Sequence, residues 1–274
     1  MCYYSAQKVT HDAFLRLLAF SKDVTLFDFL DKGVISGFSD EPIAVIVPTA
    51  DKANFDVVQM EWGFIPKYII NREQVQKFRT GYKDAKGKWH TGYTTQNAKA
   101  ENLLLNERGD RPSIYQEAAM KRRCLVLSTG FFEWRHFYRH HKVTGLPLKT
   151  PDKYPYFVNV KDAPYFFMAA VWQPWTDQDT GEHVNTVSVV TTEANSLMAQ
   201  VHNAKLRMPT ILDDELAWRW MTADLSPDEI EQIARTQYPS AKMEAYTITK
   251  DFQALLDPTE PFAYADLPAL ELVV

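Results

Sequence analysis

Cys2, the second residue of the chain, carries the strongest chemical signal in the sequence. Methionine aminopeptidases remove Met1 when the second residue is small, so we expect the mature chain to begin with a free α-amine beside the Cys2 thiol. The pKa of an α-amine is about 7.7–8.0 and that of a thiol about 8.5, so each group is partly reactive at neutral pH. Such a pair could attack an acyl carbon, or it could capture an aldehyde as an imine that the thiol closes to a thiazolidine.

Glu133 is a second candidate, because it follows an apolar segment and lies between Phe132 and Trp134. Large aromatic neighbours are expected to raise the pKa of a carboxyl group, which would suit proton transfer near neutral pH. The alternation of a β-strand could equally turn Glu133 to solvent while its neighbours point inward. Both interpretations stay open at this level.

His202 and Asn97 are weaker candidates. His202 lies in a loop after a predicted helix, where sites are often built, but a lone histidine is more often structural. We expect Asn97 at the start of a helix, where asparagine serves well as an N-cap. The functional alternative for Asn97 is a polar clamp on a ligand or on the Cys2 backbone.

The composition is typical of a folded protein. The 274 residues are 46% hydrophobic, enough for one sizeable core, and we interpret residues 1–274 as one domain. A net charge of −5 argues against a general nucleic-acid coat, although a local groove could still be basic. The N-terminus lacks the features of a signal peptide and no run of eighteen apolar residues occurs, so we expect a cytoplasmic protein without a membrane partner.

The cysteine and histidine content predicts neither a disulfide framework nor a metal site. Only Cys2 and Cys124 are present, and Cys124 lies in an apolar run typical of a buried core residue. The nearby histidines His136, His140 and His141 lie in a basic segment without a cysteine or a paired carboxylate. We therefore expect neither a metal nor a cofactor.

Apolar periodicity predicts an α+β fold with a mostly antiparallel, barrel-like β-sheet core flanked by helices, since strands dominate the middle of the chain. Strands are predicted at 42–48, 56–62, 124–128, 156–160, 165–172, 186–191 and 242–248. Helices are predicted at 11–20, 112–121, 193–200, 213–221 and 227–236. Two polar insertions are expected, at about 67–95 and 135–153.

Several short motifs occur in a fixed order along the chain. They are Met1-Cys2, Trp62-Gly63-Phe64-Ile65-Pro66, Asn97-Ala98-Lys99-Ala100-Glu101, Gly130-Phe131-Phe132-Glu133-Trp134, and His202 followed by Arg207-Met208-Pro209. Together they resemble the SOS response-associated peptidase (SRAP) family over roughly residues 1 to 250. The resemblance implies the SRAP fold.

The resemblance also implies a function. SRAP proteins bind single-stranded DNA that carries an abasic site and link to its ring-opened aldehyde through the N-terminal cysteine, as a thiazolidine that protects the lesion. Carried over by motif, Cys2 is the nucleophile, Asn97 orients it, Glu133 transfers protons and His202 assists opening of the sugar. DNA contacts are then expected from Trp62, Lys99, Trp134, Thr192 and Arg207, with the two tryptophans stacking on bases.

The resemblance implies further properties. Peptidase activity is understood as autocatalytic exposure of Cys2, an alternative to aminopeptidase cleavage. The protein is expected to be a monomer without a cofactor, and to associate with the nucleoid when bound to DNA.

Three departures from the family pattern concern phosphate contacts. Tyr3-Tyr4 replaces Gly-Arg, Lys99 replaces an arginine and loses its bidentate fork, and four residues separate His202 from Arg207 where the family pattern has one. Two other classes of function remain open. One is an N-terminal-nucleophile cysteine peptidase or amidohydrolase acting on a small amide, and the other is a nucleic-acid-binding module without chemistry.

Overall fold

The computed structural model describes residues 2–8, 31–39, 41–141 and 143–271, so the helix predicted at 11–20 lies outside the described residues. The strands are β1 Tyr4–Lys8, β2 Asp31–Ser36, β3 Pro42–Pro48, β4 Phe55–Trp62, β5 Tyr82–Lys83, β6 Trp89–His90, β7 Asn97–Lys99, β8 Arg123–Ser128, β9 Gly130–Phe137, β10 Asp152–Val160, β11 Phe166–Thr176, β12 His183–Glu193, β13 Arg207–Pro209, β14 Ile211–Leu212 and β15 Met243–Thr247. The helices are α1 Arg72–Thr80, α2 Gln116–Lys121, α3 Ser196–Val201, α4 Asp214–Thr222 and α5 Pro227–Ala234.

Five strands close into a barrel-like ring. The pairings run from β12 through β4, β3, β8 and β11 and return to β12. Strand β12 pairs in parallel with β4 and with β7, whereas the other described strand pairs are antiparallel. The predicted α+β fold with a mostly antiparallel, barrel-like sheet and flanking helices is therefore confirmed.

A second sheet lies against this ring, in the order β15-β10-β9-β1-β2. Within it, β9 pairs with β1 on one side and with β10 on the other. Strand β9 must begin with glycine, because a Cβ atom on Gly130 would lie 2.1 Å from the ring of Phe157. The second sheet thus holds the N-terminal strand directly beside the strand that carries Glu133.

Strands β3 and β8 of the ring are buried on both faces, which explains why their sequences are nearly continuous apolar runs. In β3, Ala44 and Ile46 pack in a cluster with Trp220 of α4. The alternate residues Ile43 and Val45 pack in a second cluster with Val158 of β10. All six residues of β8 are buried. Helices α2, α4 and α5 pack in the first cluster, whereas α3 and the second sheet pack in the second.

Several predicted boundaries shift. The helix predicted at 112–121 begins at Gln116, and the insertion predicted at 67–95 contains α1 and the β5–β6 hairpin. In the insertion predicted at 135–153, β9 extends to Phe137 and β10 begins at Asp152, so the described residues that lie outside a strand are 138–141 and 143–151. Among the described residues, no helix is both long enough and apolar enough to cross a membrane.

Candidate functional site

Cys2 is held inside the protein by the start of the second sheet. Tyr4 pairs with Phe132 in the β1–β9 register, and this antiparallel register directs the preceding residues toward Trp134. The Cys2 side chain is 1% exposed, and its thiol donates to the carbonyl of Tyr4 at 3.5 Å. Burial, with a contribution from the charge of Glu133, raises the pKa of the Cys2 thiol well above its ordinary value. The buried thiol therefore stays protonated at neutral pH, contrary to the partial ionisation expected from its ordinary pKa.

Glu133 lies next to Cys2 and is 4% exposed. Burial raises the pKa of the Glu133 carboxyl to about 7, the direction that the sequence predicted. The predicted cause is wrong, because Phe132 and Trp134 pack on the opposite face of β9 around Phe252. Glu133 shares the face of Phe131, which packs in the same cluster as Cys2. The alternative that Glu133 points to solvent is excluded.

His202 faces Glu133, with 3.7 Å between the His202 Nε2 atom and a Glu133 carboxylate oxygen. The other ring nitrogen, Nδ1, lies 2.9 Å from the carbonyl oxygen of Arg207. A carbonyl only accepts, so Nδ1 carries the proton in the neutral ring and the lone pair of Nε2 faces Glu133. Burial lowers the pKa of His202 to about 4, below the ordinary value on which its predicted role rested. His202 is thus a neutral base at physiological pH.

The four residues between His202 and Arg207 leave the imidazole beside the Arg207 carbonyl. His202 ends α3, and its carbonyl accepts from the backbone N–H of Leu206 at 2.9 Å. Leu206 adopts a left-handed backbone conformation with φ of 53°, which turns the chain back into β13. The insertion therefore forms a tight loop that returns the Arg207 carbonyl to the His202 ring.

Asn203 joins the His202 loop to the strand of Glu133. Its side-chain oxygen accepts from the backbone N–H of His136 at 2.9 Å, and its amide donates to the His136 carbonyl at 2.8 Å. This pair of hydrogen bonds imitates a strand pairing between the loop and β9. It fixes the separation of Glu133 and His202.

Asn97 contacts the Cys2 backbone directly. Its side-chain amide donates to the Cys2 carbonyl at 2.9 Å, as in the clamp alternative. The expected helix start is wrong: Asn97 begins β7, which pairs in parallel with β12 at Val189. The Tyr115 hydroxyl donates to the Asn97 carbonyl at 3.5 Å from the other side.

Arg207 ties two motifs together. Its guanidinium makes a bidentate ion pair with Glu101 at 2.7 and 3.0 Å, and it also donates to the carbonyl of Thr191. The pair links the segment after Asn97 to β13. Arg207 is 9% exposed and committed to these partners, so the structure does not fit the expected DNA contact.

Two more expected DNA contacts are corrected by burial. Trp62 is 2% exposed, and its indole donates to the carbonyl of Gln96 at 3.0 Å, so the ring is a core element that cannot stack on a base. Thr192 is 3% exposed and donates to the carbonyl of Arg235. Lys99 and Trp134, by contrast, are only half-buried and reach the surface.

The structure thus brings Cys2, Asn97, Glu133 and His202 into one buried cluster. Sequence reasoning missed the supporting residues Asn203, Glu101 and Tyr115, because their contacts cross 67, 106 and 18 residues of chain respectively. Only the Glu101–Arg207 contact could have been suggested by the sequence, because the two residues carry opposite charges and both lie in the family motifs. Within the described part of the chain, no group of three or more His, Cys, Asp or Glu side chains could hold a metal ion.

Comparisons with known proteins find relatives over most of the chain. Residues 34–254 match the family model of the SOS response associated peptidase (SRAP). The abasic site processing protein YoqW of Bacillus subtilis is 26% identical over 200 residues, which cover 73% of this chain and 72% of the relative. The abasic site processing protein YMR114C of Saccharomyces cerevisiae is 27% identical over 197 residues, which cover 70% and 43% of the two chains.

A solved structure supports the fold independently. The crystal structure of a protein from Bacteroides thetaiotaomicron superposes with a TM-score of 0.70 at 29% identity. The superposition covers 95% of this chain and 97% of that one.

Proposed function

The chain belongs to the SOS response associated peptidase (SRAP) family, and on that premise we propose that it processes abasic sites in DNA by forming a covalent crosslink through Cys2. One observation carries the proposal: the buried cluster of Cys2, Asn97, Glu133 and His202. In it the Asn97 amide lies 2.9 Å from the Cys2 carbonyl and His202 lies 3.7 Å from Glu133. Relatives named as abasic site processing proteins supply the substrate class.

The proposed reaction begins with removal of Met1, by an aminopeptidase or by the protein itself. The free Cys2 amine adds to the aldehyde of the ring-opened abasic sugar and forms a carbinolamine. Loss of one water gives an imine. The thiol then adds to the imine carbon, its proton passes to the nitrogen, and a five-membered thiazolidine results.

The residues divide this work by their protonation states. His202, neutral and with Nε2 unprotonated, accepts the proton of the anomeric hydroxyl as the C1′–O4′ bond of the sugar breaks, and this proton then passes to O4′, which becomes a hydroxyl. Glu133, with a pKa of about 7, donates the proton that lets the carbinolamine hydroxyl leave as water. Asn97 holds the Cys2 carbonyl and so orients the amine.

The raised pKa of the Cys2 thiol favours this reaction over hydrolysis of a small amide. A cysteine peptidase or amidohydrolase needs a thiolate as its first nucleophile, and burial opposes that state. In the proposed reaction the amine attacks first, and the thiol adds only within the same molecule, where proximity replaces prior ionisation.

We further propose single-stranded DNA as the bound partner, a monomeric protein, and a cytoplasmic or nucleoid location in the response to DNA damage. In a single strand the deoxyribose of the lesion is not covered by an opposing strand, so it is accessible to the buried Cys2. The acidic net charge does not conflict with this, because one basic groove suffices for a short strand.

Intact mass spectrometry after incubation with single-stranded DNA containing one abasic site tests the function. The expected product has the mass of the protein without Met1 plus the DNA, less one water. Cys2→Ala should give no stable product yet retain most DNA affinity. Cys124→Ala is the matched control, because Cys124 is also a buried thiol but lies in β8 and should crosslink normally. A stable product from Cys2→Ala, or none from the wild type, would contradict the proposal.

A further inference from the structure

A surface groove of about 700 Å³ leads away from the site at Asn97. The wall nearest Cys2 is formed by Thr94, which accepts a hydrogen bond from the hydroxyl of Tyr3 at 3.3 Å. Tyr93 and Phe78 also line the groove, together with residues between Asn106 and Tyr115. Because Asn97 lines the groove and also bonds to the Cys2 carbonyl, a strand whose sugar lies at Cys2 can continue into the groove.

Tyr93 presents a flat aromatic surface to the groove. Its ring stacks on Phe78 with 5.4 Å between centroids and 7° between planes, and the backbone N–H of Tyr93 donates to the Phe78 carbonyl at 2.7 Å. Phe78 is braced from the side by Tyr68 in an edge-on contact at 6.5 Å. Despite this support Tyr93 is 65% exposed, so one face of its ring remains open.

The position of Tyr93 depends on the glycine that precedes it. Gly92 passes so close to the end of α1 that a Cβ atom there would lie 2.3 Å from the carbonyl oxygen of Arg79. Any other residue at 92 would push Tyr93 away from Phe78. The insertion that holds α1 and the β5–β6 hairpin thus ends in a rigid aromatic pair.

The charges around the groove are mixed but favour a phosphate backbone. Lys99, Arg108 and Arg111 line it together with the acidic Glu107 and Asp110. Lys99 pairs with Glu107 at 2.9 Å on the surface, an ion pair that costs little to exchange for phosphate. Arg108 and Arg111 are exposed, and neither takes part in a side-chain ion pair among the described residues.

We infer that the open face of Tyr93 stacks on the base of a nucleotide adjacent to the lesion, so that the groove carries one arm of the single strand. The inference rests on the proposed function, because the abasic sugar at Cys2 sets where the strand enters. Stacking on an aromatic ring accepts any base, which suits a protein that must bind lesions in every sequence context.

The test uses single-stranded oligonucleotides in which a tetrahydrofuran replaces the abasic sugar. The tetrahydrofuran has no aldehyde, so these oligonucleotides bind without crosslinking. A 2-aminopurine replaces the nucleotide on either the 5′ or the 3′ side, and stacking quenches its fluorescence. We expect quenching on one side in the wild type, lost in Tyr93→Ala and kept in Tyr93→Phe. Tyr93→Ala should weaken binding about 5- to 150-fold, as expected for loss of one stacked base.

Phe262→Ala is the matched control, because Phe262 is 48% exposed and packs edge-on against Tyr264 but does not line the groove. It should bind like the wild type. Tyr93→Ala should keep the salt dependence of affinity, since a stacked base releases no counterions. Wild-type affinity or unchanged quenching in Tyr93→Ala would overturn the inference. Tight binding of these oligonucleotides without any crosslink to an aldehyde-bearing abasic site would instead contradict only the proposed chemistry.

Discussion

The Nε2 atom of His202 and a carboxylate oxygen of Glu133 lie 3.7 Å apart in the protein interior. Burial moves their pKa values in opposite directions, to about 4 for His202 and to about 7 for Glu133. Near pH 7 the imidazole is therefore neutral, and the carboxyl is about half protonated. The two residues form an adjacent base and acid without a permanent ion pair.

Crosslinking should depend on pH through two groups. The Cys2 amine must be deprotonated, with a pKa of about 7.7–8.0, and Glu133 must be protonated, so the single-turnover rate should peak between the two pKa values. In Glu133→Gln the rate should be lower, and the fall on the alkaline side should disappear. If Glu133 only held the Cys2 ammonium by charge, the variant would keep the wild-type profile.

The buried carboxyl of Glu133 should lower the free energy of unfolding at alkaline pH. Its folded pKa of about 7 lies above its ordinary value of 4.5, so the folded state binds more protons between these values and stability falls as pH rises through that window. The cost above pH 7 is about 3 kcal/mol, from 1.36 kcal/mol per pKa unit. Urea unfolding should show that Glu133→Gln stabilises the protein more at pH 8 than at pH 5, by up to this amount. An equal effect at both pH values would mean that the carboxyl is not buried.

His202→Ala should slow formation of the crosslink more than its reversal, because His202 acts on the closed sugar before the aldehyde appears. A general base typically contributes about 10²–10⁴-fold. Glu133→Gln should slow both directions, since the same proton can return to the thiazolidine. Rates measured on fresh substrate and on the purified adduct separate the two roles. An equal loss in both directions for His202→Ala would contradict this division.

Asn203 is expected to act as a positioning residue. Asn203→Ala loses both hydrogen bonds to the His136 backbone, so the His202 loop should separate from β9 and admit water to Glu133. The pKa of Glu133 should then fall, and the alkaline limb of the rate profile should move to lower pH with DNA affinity unchanged. Asn159→Ala is the control. Asn159 on β10 donates a hydrogen bond to Glu244 on β15, and this pair does not involve the His202 loop. A lower rate with an unmoved limb would refute the positioning role.

Arg207 and Lys99 should behave in opposite ways toward salt. Arg207→Lys breaks the bidentate pair with Glu101 and should destabilise the fold by about 1–3 kcal/mol, while the salt slope of DNA affinity stays unchanged. Lys99→Ala should leave stability nearly intact and reduce the slope by about 1. Thermal unfolding and affinity titrations at several salt concentrations measure both. A weaker salt dependence of DNA affinity in Arg207→Lys would show that Arg207 contacts DNA after all.

The sequence alone determined the fold class, the five strands of the barrel-like ring and the candidate reactive residues. These are local properties: the apolar runs at β3 and β8 reflect burial on both faces, and Cys2 is identified by its position after Met1. The motif order added the family, because Asn97, Glu133 and His202 occur within short segments whose spacing can be read directly. The α4 cap at Asp213 and its acidic first turn are equally local.

Only the tertiary structure decided the protonation states and which residues can meet DNA. A pKa depends on what surrounds a side chain, and Glu133 is buried not by Phe132 and Trp134 but by the cluster on the other face of β9. From its sequence, Trp62 was expected to stack on a base, but the fold buries it in the same cluster as Cys2. Tyr93 lies in a polar insertion that gave no such signal, yet its ring is exposed at the surface. Burial and hydrogen-bond partners arise from segments far apart in the chain, so no local pattern could contain them.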